Sequence, residues 1–350
     1  MRKFFVTTLF ACCLGLTGVN AQTPTEGTEY YLPKTELHFR LLVEKSSYTP
    51  GEYAMYSERF MKKTAPDSKS VSYNIVGVSM YAAAIPDSTK QYVLPIDKKH
   101  SIFSVERSAN GILQAVNAKG KTPSVPEPFK AAPKKAIPNP HDYMSGDILA
   151  AGSTAKMAEL TANEIYDIRD SRNELSRGDA DYMPKDGEQL KIMLGNLSTQ
   201  VQILLQTFQG VTVKDTMEVE VTFCPTKEME GKQLLCRFSK GLGLVDDDDL
   251  GGAPYYIEVE DLKVIPELET SAPNEKRSKD DPGIIVNMPG KIKVTLMEGN
   301  QPMKVFELYA AQYGRLESLS SNLFGKKFTT HLQLNPVTGN VESMEVEPLD

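Results

Sequence analysis

The chain contains no tryptophan, which removes one common platform for stacking sugar rings and leaves that role to Tyr and Phe. Histidine is scarce as well. His38, His100, His141 and His331 lie far apart, so any triad or zinc site would have to be assembled by the fold alone. His38 and His331 alternate with apolar neighbours and read as surface residues of strands. Also missing are a Gly-x-Gly-x-x-Gly after a strand, a phosphate-binding loop, His-Glu-x-x-His and Gly-x-Ser-x-Gly. The local signatures of dinucleotide, nucleotide-triphosphate, zinc-protease and serine-hydrolase chemistry are therefore absent.

Long apolar runs are lacking too. The one at the N-terminus, Phe4 to Val19 in MRKFFVTTLFACCLGLTGVNAQ, is short for a membrane span. Arg2 and Lys3 precede it and Val19-Asn20-Ala21 follows, the pattern of a secretory signal peptide (residues 1–21) cleaved after Ala21. Leu9-Phe10-Ala11-Cys12 loosely resembles a bacterial lipobox, but Phe10 fits it poorly and cleavage there would leave LGLTGV exposed. The expected product is a soluble exported chain without a transmembrane span, in the periplasm or associated with the outer membrane.

Basic residues are in deficit. The 39 Lys and Arg against 46 Asp and Glu give −7, and loss of Arg2 and Lys3 takes this to −9 (37 against 46). Such a chain is a poor general binder of nucleic acid. Only four cysteines occur, and two lie in the leader. Cys224 and Cys236 remain, flanking CPTKEMEGKQLLC, and an oxidising compartment favours a disulfide across a hairpin there.

What is present is mostly alternation. In YYLPKTELHFRLLVEK, Leu37, Phe39, Leu41 and Val43 alternate with Glu36, His38 and Arg40, a strand with one buried face. Thr49-Pro50-Gly51-Glu52 reads as an N-cap, followed by a short helix carrying Tyr53, Tyr56 and Phe60. VSYNIVGVSMYAAA and KQYVLPI read as two strands, and Asn110-Gly111 marks a hairpin. Lys119 to Pro140 holds six prolines and five lysines, a linker or long loop.

Past Ser153 the period becomes helical. Asp186 caps a second helix whose stripe, Leu190, Met193, Leu194, Leu197, Val201, Leu204 and Phe208, ends at Gly210. After Gly210 period two returns to the end, with turns at Met288-Pro289-Gly290, Glu298-Gly299-Asn300 and Pro336 to Asn340, and a charged loop from Glu267 to Gly283.

The expected architecture is α+β, with two β-rich domains of antiparallel sheets and a helical hairpin between them packed on the C-terminal domain. Its divisions are residues 22–118 (β-rich, one short helix), 119–150 (Pro/Lys-rich linker), 151–210 (helical hairpin) and 211–350 (antiparallel β).

Metal sites are weakly indicated. Asp179 and Asp181 begin a calcium-loop pattern that Met183 breaks. Asp246, Asp247, Asp248 and Asp249, between glycines in GLGLVDDDDLGG, are weak calcium candidates without strict ligand spacing, and a solvated loop is expected. No cofactor is expected, and no carboxylate dyad is assignable among 46 acidic residues.

Tyr31-Leu32-Pro33-Lys34-Thr35, RDSRNELSRGDADYMPKDGEQLKIML, CRFSKGLGLVDDDDLGGAPYYIEVE and the closing AAQYGRLESL…LQLNPVTGNVESMEVE resemble, in that order, domain of unknown function 4831, a family of secreted Bacteroidota proteins. The resemblance implies an envelope protein with no established activity and supplies no catalytic residues. It makes the hairpin around Arg169, Arg172 and Asp181 a family feature, an ion-pair network or a partner surface. The expected function is a non-catalytic binding or assembly module for an envelope protein or glycan. The alternative is a hydrolase acting on glycan or peptide, with carboxylates meeting in an interdomain cleft.

Overall fold

The computed structural model describes residues 27–95, 101–134, 136–265 and 283–348. Residues 1–26, with Cys12 and the expected signal peptide, His100, and residues 267–282 of the charged loop lie outside them.

Among the described residues the strands form three antiparallel sheets. The first has the order β2-β1-β5, with β1 Gly27–Thr49, β2 Ser70–Pro95 and β5 Val211–Phe223. The second runs β10-β9-β8-β6-β7, with β6 Lys232–Ser239, β7 Gly243–Val245, β8 Ala253–Asp261, β9 Ile284–Glu298 and β10 Gln301–Leu319. The third runs β12-β11-β4-β3, with β3 Val105–Arg107, β4 Leu113–Val116, β11 Phe328–Leu334 and β12 Val341–Pro348.

Alternation in β1 explains the main core. Leu37, Phe39, Leu41 and Val43 point inward and pack against Leu235, Phe238, Ile257, Ile292, Val294 and Leu296 of the second sheet. Both sheets bury one face, and at roughly 25 cal/mol per Å² of apolar surface this burial is their main mutual attraction. The other end of β1 supplies Tyr30 and Leu32 to a second core with Leu113, Ile284, Val286, Phe324 and Leu332. One strand of 23 residues thus links two cores.

The third core is helical. α3 Thr154–Arg177 is capped by Ser153 and ends at Gly178 (φ 85°), and α4 Gly187–Gln209 is capped by Asp186 and ends at Gly210. Their buried stripes enclose Ile165, Leu204 and Phe208 together with Tyr53, Met61, Met144 and Ile148.

Several expectations are corrected by these pairings. β1 pairs with β5, and β4 with β11, so two sheets draw strands from both sides of residues 119–150. That segment does not separate two independent β domains. The hairpin builds its core with the 53–61 segment and with residues 140–149, which include the short helix α2 Gly146–Leu149, rather than on the C-terminal strands. The expected strands at 71–84 and 90–96 are one strand, β2, whose register slips opposite Tyr31/Pro33.

Pro289-Gly290 is not a turn either. β9 continues through it, and β10 accommodates the proline with a bulge between Ala310 and Arg315. A proline gives the ladder no N–H, and a bulge is where that loss is tolerated. Thr49 stays in β1 rather than capping a helix. The chain enters a 3-10 turn only at Ala54 and α1 at Ser57–Met61, because Tyr53 N–H bonds the Thr207 carbonyl (2.6 Å) and pins the intervening residues against α4.

Candidate functional site

The outward face of the β2-β1-β5 sheet carries a cluster of charged side chains. β1 alternation sends Glu36, His38 and Arg40 to this face once Leu37, Phe39 and Leu41 point inward. Register sets their neighbours. His38 lies opposite Tyr81 of β2 and Thr222 of β5, Arg40 opposite Glu220, and Leu42 opposite Glu218.

His38 bridges two carboxylates, with Nδ1 2.8 Å from Glu220 and Nε2 3.0 Å from Glu36. Its ring stacks on Tyr81 at 4.7 Å, and the Tyr81 hydroxyl donates to Glu220 Oε2 (3.2 Å). Arg40 is 7 % exposed and its guanidinium lies 4.7 Å from the Tyr81 ring centre. Arg40 Nε faces both Glu220 (3.2 Å) and Glu218 (3.5 Å). The hydrogen bond from His38, joined by those from Arg40 and Tyr81, holds the Glu220 carboxyl below the usual carboxylate range. Burial, with Glu220 beside it, pushes the Tyr81 phenol up.

The Pro/Lys-rich segment passes over this face. Its described residues from Lys119 to Asn139 form no helix or strand. Arg40 Nη1 donates to two consecutive carbonyls, Pro126 (2.9 Å) and Glu127 (3.1 Å). Phe129 N–H donates to Glu218 Oε2 (3.2 Å), and Lys134 pairs with Asp215 (2.8 Å). The expected linker is therefore a strap tied across β1 and β5. Chemically, the cluster presents fixed donors and fixed anions, and its resolved carboxyl shift is downward, the opposite of what a general acid at neutral pH requires.

The residues singled out in the sequence fall elsewhere. Arg169 lies at the edge of the helical core next to Ile168, while Arg172 is further along α3 and Asp181 is in the turn between α3 and α4. Arg169 stacks over Tyr166 (5.6 Å), whose hydroxyl ties back to Phe60 O (2.9 Å). Arg172 and Asp181 take part in no ion pair among the described residues, and Tyr182 at the tip is 74 % exposed. Among the described residues the turn is a polar bend bearing solvated charge rather than an ion-pair network.

Asp246 to Asp249 form a loop organised by backbone. Asp249 Oδ1 accepts Gly251 N–H (2.8 Å), and Arg237 donates to the carbonyls of Asp247 (2.7 Å) and Gly252 (3.1 Å). Among the described residues no group of three or more His, Cys, Asp or Glu side chains is arranged to hold a metal ion.

Cys224 and Cys236 are both free, and the expected hairpin between them does not form. The reason is topological. Cys224 follows β5 in the first sheet, whereas Cys236 sits in β6, which pairs with β7 and β8 in the second. Cys236 is buried in the main core, and burial pushes its thiol up to about 12.

Sequence reasoning had the alternation of Glu36, His38 and Arg40 but read His38 as an ordinary strand position. It missed Tyr81, Glu218 and Glu220 altogether. A signal existed in Glu218 and Glu220 at spacing two in MEVEV, but nothing local said which strand they would face.

Comparison with protein-family models matches residues 26–342 to Domain of unknown function (DUF4831). The chain belongs to that family. Comparison with curated proteins and with solved structures found no match to this DUF4831 chain. The match spans β1, the strap and the helical arm and ends two residues into β12, so the outer-face cluster lies wholly within the DUF4831 region.

Proposed function

We propose that this DUF4831 protein is exported by a leader cleaved after Ala21 to the envelope of a Gram-negative Bacteroidota cell and serves there as a non-catalytic binding or assembly module. One observation carries the reading. The α3–α4 arm is anchored at one end in the helical core and at the other carries Arg172 and Asp181, neither in an ion pair among the described residues, and the exposed Tyr182. A helix pair of 24 and 23 residues reaches roughly 35 Å at 1.5 Å per residue. The core takes up α3 as far as Ile168, so the arm projects beyond it by nine residues, roughly 14 Å, and an arginine and an aromatic side chain held there suit recognition of an envelope protein or glycan.

Carboxyl chemistry supports the same reading over the hydrolase. Asp87, Glu220, Glu228 and Glu307, the carboxyls with resolved shifts among the described residues, are all held low, so none of these four is kept protonated for general-acid work. An open groove of about 510 Å³ beside the β3–β4 hairpin contains one carboxylate, Glu106, which Gly120 N–H already engages at 2.6 Å.

The test is affinity capture of the tagged protein from crosslinked envelope fractions, with the mature N-terminus read by mass spectrometry. A partner lost on combined Arg169→Ala, Arg172→Ala and Asp181→Ala substitution supports the arm. Capture unchanged by those substitutions removes the arm from the reading, and turnover of glycan or peptide by the purified protein would replace it with the hydrolase.

A further inference from the structure

The strap makes contact with β1 and β5 in an uneven way. From Ser124 to Lys134 every residue is exposed, with Val125 at 56 % and Phe129 at 39 %, so no apolar side chain of the strap is buried. What holds it is backbone recognition. Arg40 Nη1 spends its two hydrogens on the Pro126 and Glu127 carbonyls, while Arg40 Nε is held by Glu218 and Glu220. Glu218 Oε2 receives the Phe129 N–H. The guanidinium is itself oriented from below by the Tyr81 ring and Glu220, and Tyr81 and Glu220 are in turn fixed by His38. The donors and acceptor are thus preset by the sheet, while the strap supplies only main-chain groups at Pro126, Glu127 and Phe129.

Main-chain recognition does not depend on which chain supplies the peptide. Proline at 123, 126, 128 and 133 keeps the segment extended and presents its carbonyls outward at low entropic cost. We infer that Arg40 and Glu218 form a binding site for an extended, proline-containing peptide of another chain, which the protein's own 126–129 segment fills in cis. A competing peptide that makes contacts beyond these main-chain bonds displaces the strap, since no apolar side chain of the strap is buried.

Occupancy in cis sets the scale. A tethered segment acts at an effective concentration on the order of millimolar, so a strap that stays seated has an untethered Kd below about 1 mM. The site goes beyond the arm reading and stands on different residues, so the two are tested separately.

The experiment uses the chain from residue 22 onward, with residues 123–134 replaced by an equal length of Gly and Ser. The probe is a fluorescein-labelled synthetic peptide of residues 123–134, followed by anisotropy. The expected result is saturable binding to the replaced chain, at least tenfold weaker binding to the intact one, and loss of at least tenfold when Arg40→Gln is added. Because Arg40 is buried and its variant could unfold, a second probe carries an ester in place of the Phe129 amide, which deletes the N–H facing Glu218 without touching the protein. That ester is expected to weaken binding several-fold. A folded replaced chain that shows no saturable binding overturns the inference, and so does equal binding of amide and ester probes. Arm variants are expected to leave both titrations unchanged.

Discussion

The side-chain amide of Gln312 pairs with both main-chain groups of Thr35. Thr35 N–H donates to Gln312 Oε1 (2.9 Å), and Gln312 Nε2 donates to Thr35 O (2.8 Å). A side chain from the β10 bulge thereby stands in for a neighbouring strand at the point where β1 crosses from one core to the other. The same Nε2 reaches Pro225 O (2.8 Å), and Ala311 N–H donates to Thr35 Oγ1 (3.0 Å).

Gln312→Ala leaves the N–H and C=O of the buried Thr35 without these partners. Each unsatisfied buried group costs about 1–3 kcal/mol, so the variant is expected to lose at least about 2 kcal/mol. Urea unfolding measures this directly. A loss below about 0.5 kcal/mol would show that water substitutes for the amide.

The bulge that carries Gln312 depends on Gly314. A Cβ there would lie 1.7 Å from Met288 O and 2.7 Å from Met288 C, both backbone atoms that cannot swing aside. Gly314→Ala is expected to shift the β9–β10 register locally and to lower Tm by several degrees. Gly299→Ala is the control. Its Cβ meets nothing within 4 Å, although its φ of 57° still imposes a cost of about 1 kcal/mol. Equal losses in the two variants would refute the crowding argument.

Glu220 links the outer-face cluster to pH. Its folded pKa is depressed, chiefly by the His38 hydrogen bond, so its contribution is present in full above the ordinary carboxylate value near 4.3 and is lost as pH falls through the lower folded value. Wild type is therefore expected to lose Tm more steeply than Glu220→Gln below about pH 4.5, while the two run parallel at pH 6 to 7. Parallel curves throughout would mean that solvent screens the pair. That outcome would remove Glu220 from the ledger.

Cys236 is 3 % exposed with its thiol pushed up to about 12, and Cys224 is half-buried with its thiol raised by burial. At pH 7.5 both are expected to react with a maleimide far more slowly in the folded chain from residue 22 than in 6 M guanidinium, Cys236 slowest of all. Intact-mass measurement counts the modified thiols, and peptide mapping assigns them. Rapid labelling of native Cys236 would contradict its place in the main core.

Local features were legible because near neighbours determine them. Ser153, Asp186, Gly178 and Gly210 bound the two helices where capping chemistry places them, and Gly111 and Gly339 take positive φ at the expected hairpin turns. The inward and outward faces of β1 followed from alternation alone. Misreadings arose where a local signal met a tertiary contact. Pro289-Gly290 looks like a turn until the β10 bulge takes up the proline, and Thr49-Pro50-Gly51-Glu52 looks like a cap until Tyr53 N–H is claimed by Thr207 O.

The periods, the helix caps at Ser153 and Asp186, the turns at Gly111 and Gly339 and the buried side of β1 are set locally, because they depend on residues within a few positions. Partnership was decided only in three dimensions. Nothing in LHFRLLV distinguishes Val219 and Val221 as the neighbours of Leu41 and Phe39 from any other alternating strand, yet that pairing puts Glu220 against His38 and Arg40 across about 180 residues of chain. Alternation is satisfied by many partners. Register and partner are selected by how whole faces fill the cores between the sheets, and the outer-face cluster, the seat of the strap and the separation of Cys224 from Cys236 all follow from that selection.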